Sequence, residues 1–284
     1  LIFEHRLWNA VPKYLRILDH ELLQNTGEGL ALTAAPIRFG SWMGGDRDGN
    51  PNVTPIITRK AWGMGRWMAA DLYWRELESL RTELSLATGS SELLRRTGNV
   101  AEPYRALLRE VRDKLANTRS WAARVMEGEL PERTEDMVVS VADLWEPLQL
   151  CYDSLMETGC ELIAQGRLSD ILRRLSVFGL CLVRLDIRQE SERHTDAMDA
   201  ITKHLGLGSY AQWAEADKQS FILRELNNRR PLIPAQFPAS PEVQDVLDTF
   251  REIARSPSDS LGAYVISMAT EPSDVLLVEL FQKE

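Results

Sequence analysis

The chain has 284 residues, 44% of them hydrophobic and 26% charged, with a formal net charge of −9. That is a soluble composition with material for one large core or two smaller ones. Its negative field repels phosphate backbones and anionic lipid, which excludes nucleic acid and membrane as general partners and obliges any anionic ligand to find a local arginine cluster.

In chain order, Leu1-Ile2-Phe3 is followed at once by Glu4, His5 and Arg6, too short an apolar run for a signal peptide. No run anywhere approaches the roughly 18 apolar residues of a membrane span. A first strand is predicted at 36–42, where apolar residues interleave with small or polar ones. Thr54-Pro55 reads as an N-cap followed by Pro at the first helical position, where its missing N–H costs nothing. The tryptophan-rich segment that follows (Trp62, Trp67, Trp74) carries an apolar stripe of Leu72, Leu77, Leu80 and Leu84. Tyr104, Leu107, Leu108, Val111 and Leu115 lie on one helix face, and Leu144, Leu148, Cys151, Leu155 and Leu162 on another. Between them, 128–134 reads as a surface loop.

The run 180–188 alternates after Val183 and predicts a second strand, and 263–268, a short β-branched run after Gly262, predicts a third. The segment 230–238 is a second surface loop. Ser240-Pro241 repeats the cap pattern, and Ser273 before Asp274 is a further candidate cap with an acid in the first turn. Sparse strands between long helical stretches suggest a parallel sheet or barrel wrapped in helices. Three strands cannot close a barrel, and their open edges would favour self-association. The start without Met and the end on Phe281-Gln282-Lys283-Glu284, in mid-helix pattern, lead us to expect a segment of a longer protein.

Four His are few for a metalloprotein. Cys151, Cys160 and Cys181 are odd in number and lack C-x-x-C spacing, so they read as reduced cytosolic thiols packed as small hydrophobes. Two constellations remain for chemistry. In F-G-S-W-M-G-G-D-R-D-G-N-P at 39–51, Gly44, Gly45 and Gly49 permit positive φ and close backbone approach to a ligand. Asp46 and Asp48 flank Arg47. The loop follows a predicted strand, where barrel active sites are built, but a structural turn braced by Asp46–Arg47–Asp48 ion pairs fits equally. Calcium is excluded, because an EF-hand loop starting at Asp46 would place Ile57 where the closing Glu belongs.

In L-V-R-L-D-I-R-Q-E-S-E-R-H-T at 182–195, a strand puts Arg184, Asp186 and Arg188 on one face and Leu185 and Ile187 on the other. Charges along a buried strand are costly unless they pair or bind a ligand. Either Asp186 pairs with Arg184 or Arg188, or Arg188, at the strand's C-terminal end, grips an anion through its planar fork. His194 reads as a capping or packing residue, not a general base.

Together the two runs resemble the phosphoenolpyruvate carboxylase family, supported by Glu102-Pro103-Tyr104-Arg105, Val246-Leu247-Asp248-Thr249-Phe250 and Ala263-Tyr264-Val265-Ile266-Ser267-Met268-Ala269. The likeness runs in the family's order from about Trp8 to the end, and covers only a middle portion of a full family member. It implies a mainly α fold: a helix-rich segment of a (β/α)8 barrel enzyme with about three short barrel strands, 1–284 being one segment of the catalytic domain. It implies a cytoplasmic, allosteric homotetramer that uses Mg2+ or Mn2+ to join phosphoenolpyruvate and bicarbonate into oxaloacetate and phosphate, feeding the tricarboxylic acid cycle. The implied course is phosphoryl transfer to bicarbonate, breakdown to CO2, and attack of the enolate on CO2.

By the same resemblance Arg188 matches an Arg that holds the substrate phosphate. Trp42 matches a Trp walling an apolar CO2 pocket, and Arg105 an Arg of a sugar-phosphate activator site known in plant members. The family's T-A-H-P-T-E run with its catalytic His is absent; Leu32-Thr33-Ala34-Ala35-Pro36 resembles it only superficially. The metal carboxylates, the catalytic Lys, the mobile Gly/Arg-rich loop and the inhibitor site for aspartate or malate are expected beyond Glu284. This segment is therefore expected to hold no catalytic residue and no metal ligand, and to be inactive alone. The alternative is a helical regulatory or binding module that has lost the chemistry; the flanking sequence distinguishes the two.

Overall fold

The computed structural model describes residues 2–234 and 237–284. In chain order the elements are α1 (Trp8–Thr26), β1 (Gly40–Ser41), α2 (Pro55–Glu83), α3 (Ser91–Thr97), α4 (Pro103–Met126), α5 (Val141–Glu157), α6 (Glu161–Ile163), α7 (Ser169–Phe178), β2 (Arg184–Glu190), α8 (Ser191–His204), α9 (Glu215–Leu226), α10 (Pro241–Arg255), β3 (Leu261–Ser267) and α11 (Pro272–Lys283). Among the described residues the protein is mainly helical, with one three-stranded sheet. No helix among the described residues is long and apolar enough to cross a membrane.

Two units emerge, one of Leu1–Phe39 with Gly63–Arg184 and one of Gly40–Trp62 with Leu185–Glu284. In the first, the stripes read from the sequence become the core. Tyr104, Leu107, Leu108, Val111 and Leu115 of α4 are all buried, as are Leu144, Leu148, Cys151 and Leu155 of α5, Leu72, Leu77 and Leu80 of α2, and Leu84 just past the end of α2. Each such side chain contributes about 1.5–3 kcal/mol by leaving water. Ser140 and Asp143 form a capping box at the start of α5. Leu162 departs from its predicted stripe and is 89% exposed. Helix α5 stops at Glu157, Gly159 takes a left-handed φ of 74°, and the stripe's geometry is lost before α6. Cys151 is buried, which pushes its thiol up to about 12, so it packs and does not react.

In the second unit the sheet order is β1-β2-β3, with β2 parallel to β3 and Arg188 opposite Val265. The strands are placed differently from their predicted spans. The run at 36–42 shrinks to Gly40–Ser41, because the chain turns at once and the Trp42 carbonyl accepts the amides of Gly45 and Asp46. The second strand starts at Arg184, not 180, because Leu182 sits at φ 61° and Val183 N–H turns back onto the Cys181 carbonyl.

Packed in this unit's core are Met198 and Ile201 of α8, Phe221 of α9, Phe250 of α10 and Leu280 and Phe281 of α11. Ser240 caps α10 as predicted, accepting from Val243 N–H. Ser273 does not cap α11. Glu271 does, in a box with Asp274, and buried Ser273 donates its hydroxyl to Glu215 at 2.7 Å. The predicted loop 128–134 is irregular and mostly exposed. Ala235 and Gln236 of the predicted loop 230–238 lie outside the described residues, as does Leu1.

Candidate substrate-binding site

Strand alternation sets the charged face of β2 as its period of two requires. Arg184 is exposed, Asp186 and Arg188 are half-buried, and Leu185, Ile187 and Gln189 are buried on the opposite face. Among the described residues these charges do not pair with one another. Asp186 instead accepts the backbone N–H of Ala263 through Oδ1 at 3.0 Å. The Arg188 guanidinium lies over the indole of Trp42, its central carbon 4.6 Å from the ring centroid, within cation–π range. Its Nε is buried without a hydrogen-bond partner. Trp42 is 51% exposed, so it is not a core residue. Among the described residues the pair thus presents a cation not neutralised by any carboxylate beside a half-open aromatic face.

The glycine-rich loop holds this pair from behind. Arg188 N–H donates to the Gly45 carbonyl and Arg47 N–H donates to the Arg188 carbonyl, each at 2.9 Å, a single parallel bridge centred on Asp46 and Arg188. Gly44 has φ 91°, which favours glycine. Gly45 is required by a close approach to the neighbouring strand, not to a ligand, since a Cβ there would lie 2.1 Å from the Asp186 carbonyl oxygen.

The predicted Asp46–Arg47–Asp48 ion pairs do not form. Arg47 turns inward and is only 6% exposed, with Nη1 donating to the Gly45 carbonyl at 3.2 Å and Nη2 to Thr58 Oγ1 at 2.7 Å. Burial lowers its pKa, opposed by the charges of Asp245, Tyr264 and Glu252. Asp46 accepts the Asp48 N–H and closes the turn. Thr58 and the Gly45 carbonyl were not legible from the motif: one lies eleven residues along the chain and the other is backbone. Gly49 N–H bonds Glu190 Oε1 at 3.1 Å. Beside this loop opens a cleft of about 550 Å3 bordered by Arg47, Asn50, Gln189, Arg193, Glu242 and Asp245.

Arg105 belongs to the first unit. Its Nη1 donates to Glu102 Oε1 at 2.8 Å and its Nε to the Arg81 carbonyl at 3.0 Å, so part of its donor set serves the start of α4. Among the described residues no group of three or more His, Cys, Asp or Glu side chains could hold a metal ion. The residues present thus provide no seat for the Mg2+ or Mn2+ that the resemblance implies, and no chemical step is assigned to them through it.

Comparison with known proteins decides the family, because the phosphoenolpyruvate carboxylase family model matches residues 1–284. The chain belongs to the phosphoenolpyruvate carboxylase family. It is 51% identical over 283 residues to a phosphoenolpyruvate carboxylase of Hahella chejuensis, and 54% identical over 283 residues to those of Pseudomonas aeruginosa and Pseudomonas fluorescens. Each alignment takes in 100% of this chain and 32% of the relative, so the chain spans about a third of the length of the curated relatives it matches. Within this carboxylase-family chain, Arg188 and Trp42 are the two sequence-predicted site residues that the fold brings together.

Proposed function

We propose that this chain forms part of the active-site wall of a phosphoenolpyruvate carboxylase, which converts phosphoenolpyruvate and bicarbonate to oxaloacetate and phosphate in the cytoplasm. The observation that carries the reading is the Arg188–Trp42 pair. A guanidinium with no carboxylate partner among the described residues, at the C-terminal end of a parallel strand, suits the phosphate of the substrate. A half-exposed indole beside it suits CO2, which has no net charge or dipole, and helps keep water from the enolate. In this reading β1, β2 and β3 are strands of a (β/α)8 barrel completed by other parts of a homotetrameric enzyme, and 1–284 is one segment of its catalytic domain. The Mg2+ or Mn2+ is held by those other parts, and Arg105 belongs to an activator site. The chain alone is not expected to complete the reaction.

Arg188→Ala tests the reading in protein expressed from the whole reading frame that encodes this chain. Loss of a charge-assisted contact should raise the KM for phosphoenolpyruvate roughly tenfold or more. If KM and kcat both stay at the native values, Arg188 has no part in substrate binding.

A further inference from the structure

We infer that Arg47 is a positioning residue for the Arg188–Trp42 pair, acting by bracing the turn that fixes both of their backbones. The inference rests on the reading of Arg188 as the phosphate contact.

The turn links the pair through backbone alone. The Trp42 carbonyl accepts Gly45 N–H at 2.9 Å and Asp46 N–H at 3.1 Å, and the Gly45 carbonyl and Arg47 N–H then hold the two sides of the Arg188 peptide. Trp42 has little else to place it, since the adjoining strand β1 is only two residues long and the indole is half exposed; Arg188 is held in β2 opposite Val265, but among the described residues its Nε has no hydrogen-bond partner.

The brace is the Arg47 guanidinium. Its two arms reach the Gly45 carbonyl and Thr58 Oγ1, and the Thr58 hydroxyl donates onward to the Gly44 carbonyl at 2.8 Å. The Gly45 carbonyl therefore receives both the Arg188 amide and the Arg47 side chain. A planar fork spans two acceptors at fixed spacing, which a lysine ammonium does not. Stability alone does not favour this design. No carboxylate ion-pairs with Arg47 among the described residues, and a buried cation in that setting is costly where an apolar side chain of similar length would fill the space. What the charge supplies is a pair of donors aimed at the one turn that carries Trp42 and bonds the Arg188 peptide.

A double-mutant cycle tests this in the protein expressed from the whole reading frame. The native protein, Arg47→Lys, Arg188→Ala and the double variant are compared for KM and kcat with phosphoenolpyruvate. Arg47→Lys should raise KM on the order of tenfold, with a smaller change in kcat. In the Arg188→Ala background the same substitution should add less than about twofold, because residues acting through one another are not additive. Equal factors in both backgrounds, or an unmoved KM in folded Arg47→Lys, overturn the inference. If Arg188→Ala itself leaves KM unmoved, the phosphate reading fails and the positioning role falls with it, an outcome told apart by that single variant. Should Arg47→Lys not fold, Thr58→Val removes the same anchor at similar shape. It must show the same loss of additivity with Arg188→Ala, and equal factors there overturn the inference too.

Discussion

His194 sits with no solvent exposure among Phe250, Tyr264 and Phe281, its Nε2 2.7 Å from the Tyr264 hydroxyl and its Nδ1 buried without a partner. Burial pushes its pKa down from 6.5 to about 4, against a weaker opposing pull from Asp274. The unfolded chain therefore takes up a proton below pH 6.5 that the folded chain refuses until about pH 4. Stability should be steady above neutral pH and fall by up to about 3 kcal/mol as the pH drops through that window. Urea titrations across pH 4–7, with His194→Asn as reference, isolate this contribution; parallel curves would mean that His194 takes up its proton in the fold as readily as in the unfolded chain. The reading of His194 as a packing residue was available from its place beside a helix start. The inward turn of Arg47 was not, because adjacency to Asp46 and Asp48 in sequence says nothing about where a side chain points once the loop closes on Thr58.

Among the elements, long amphipathic helices were the most legible. The stripes of α4 and α5 are repeated at helical spacing, and burial of one face leaves little freedom. The failures fall where a single residue overrides a pattern: Gly159 ends the stripe before Leu162, Leu182 delays β2, and the Trp42 carbonyl ends β1 after two residues. Strand pairing was harder to read, because it depends on partners distant in the chain. Gly45 is the instance that can be tested. Its α-carbon faces the Asp186 carbonyl so closely that Gly45→Ala must push the loop off β2. We expect a loss of about 1–3 kcal/mol, the usual cost of overpacking, read as a lower urea midpoint with an unchanged slope. A variant as stable as the native chain would show that the bridge at Asp46 and Arg188 has slack.

For the molecule as a whole, the family was legible because two long motifs and their order survive intact, and the comparisons place all 284 residues in it. The chain spans about a third of the length of the relatives it matches, and the proposed reaction belongs to the whole protein. A measurement on the whole protein that separates two steps of the proposed reaction therefore weighs most. Phosphoryl transfer to bicarbonate should rest on charge, whereas capture of CO2 by the enolate should rest on the apolar wall at Trp42. Trp42→Ala, in protein expressed from the whole reading frame, should keep bicarbonate-dependent release of phosphate while oxaloacetate falls and pyruvate makes up the balance. Phosphate, pyruvate and oxaloacetate are measured in parallel on folded variant. A rise in phosphate and pyruvate relative to oxaloacetate is the predicted result; an unchanged ratio of the three products would contradict the assignment of Trp42 to the CO2 pocket.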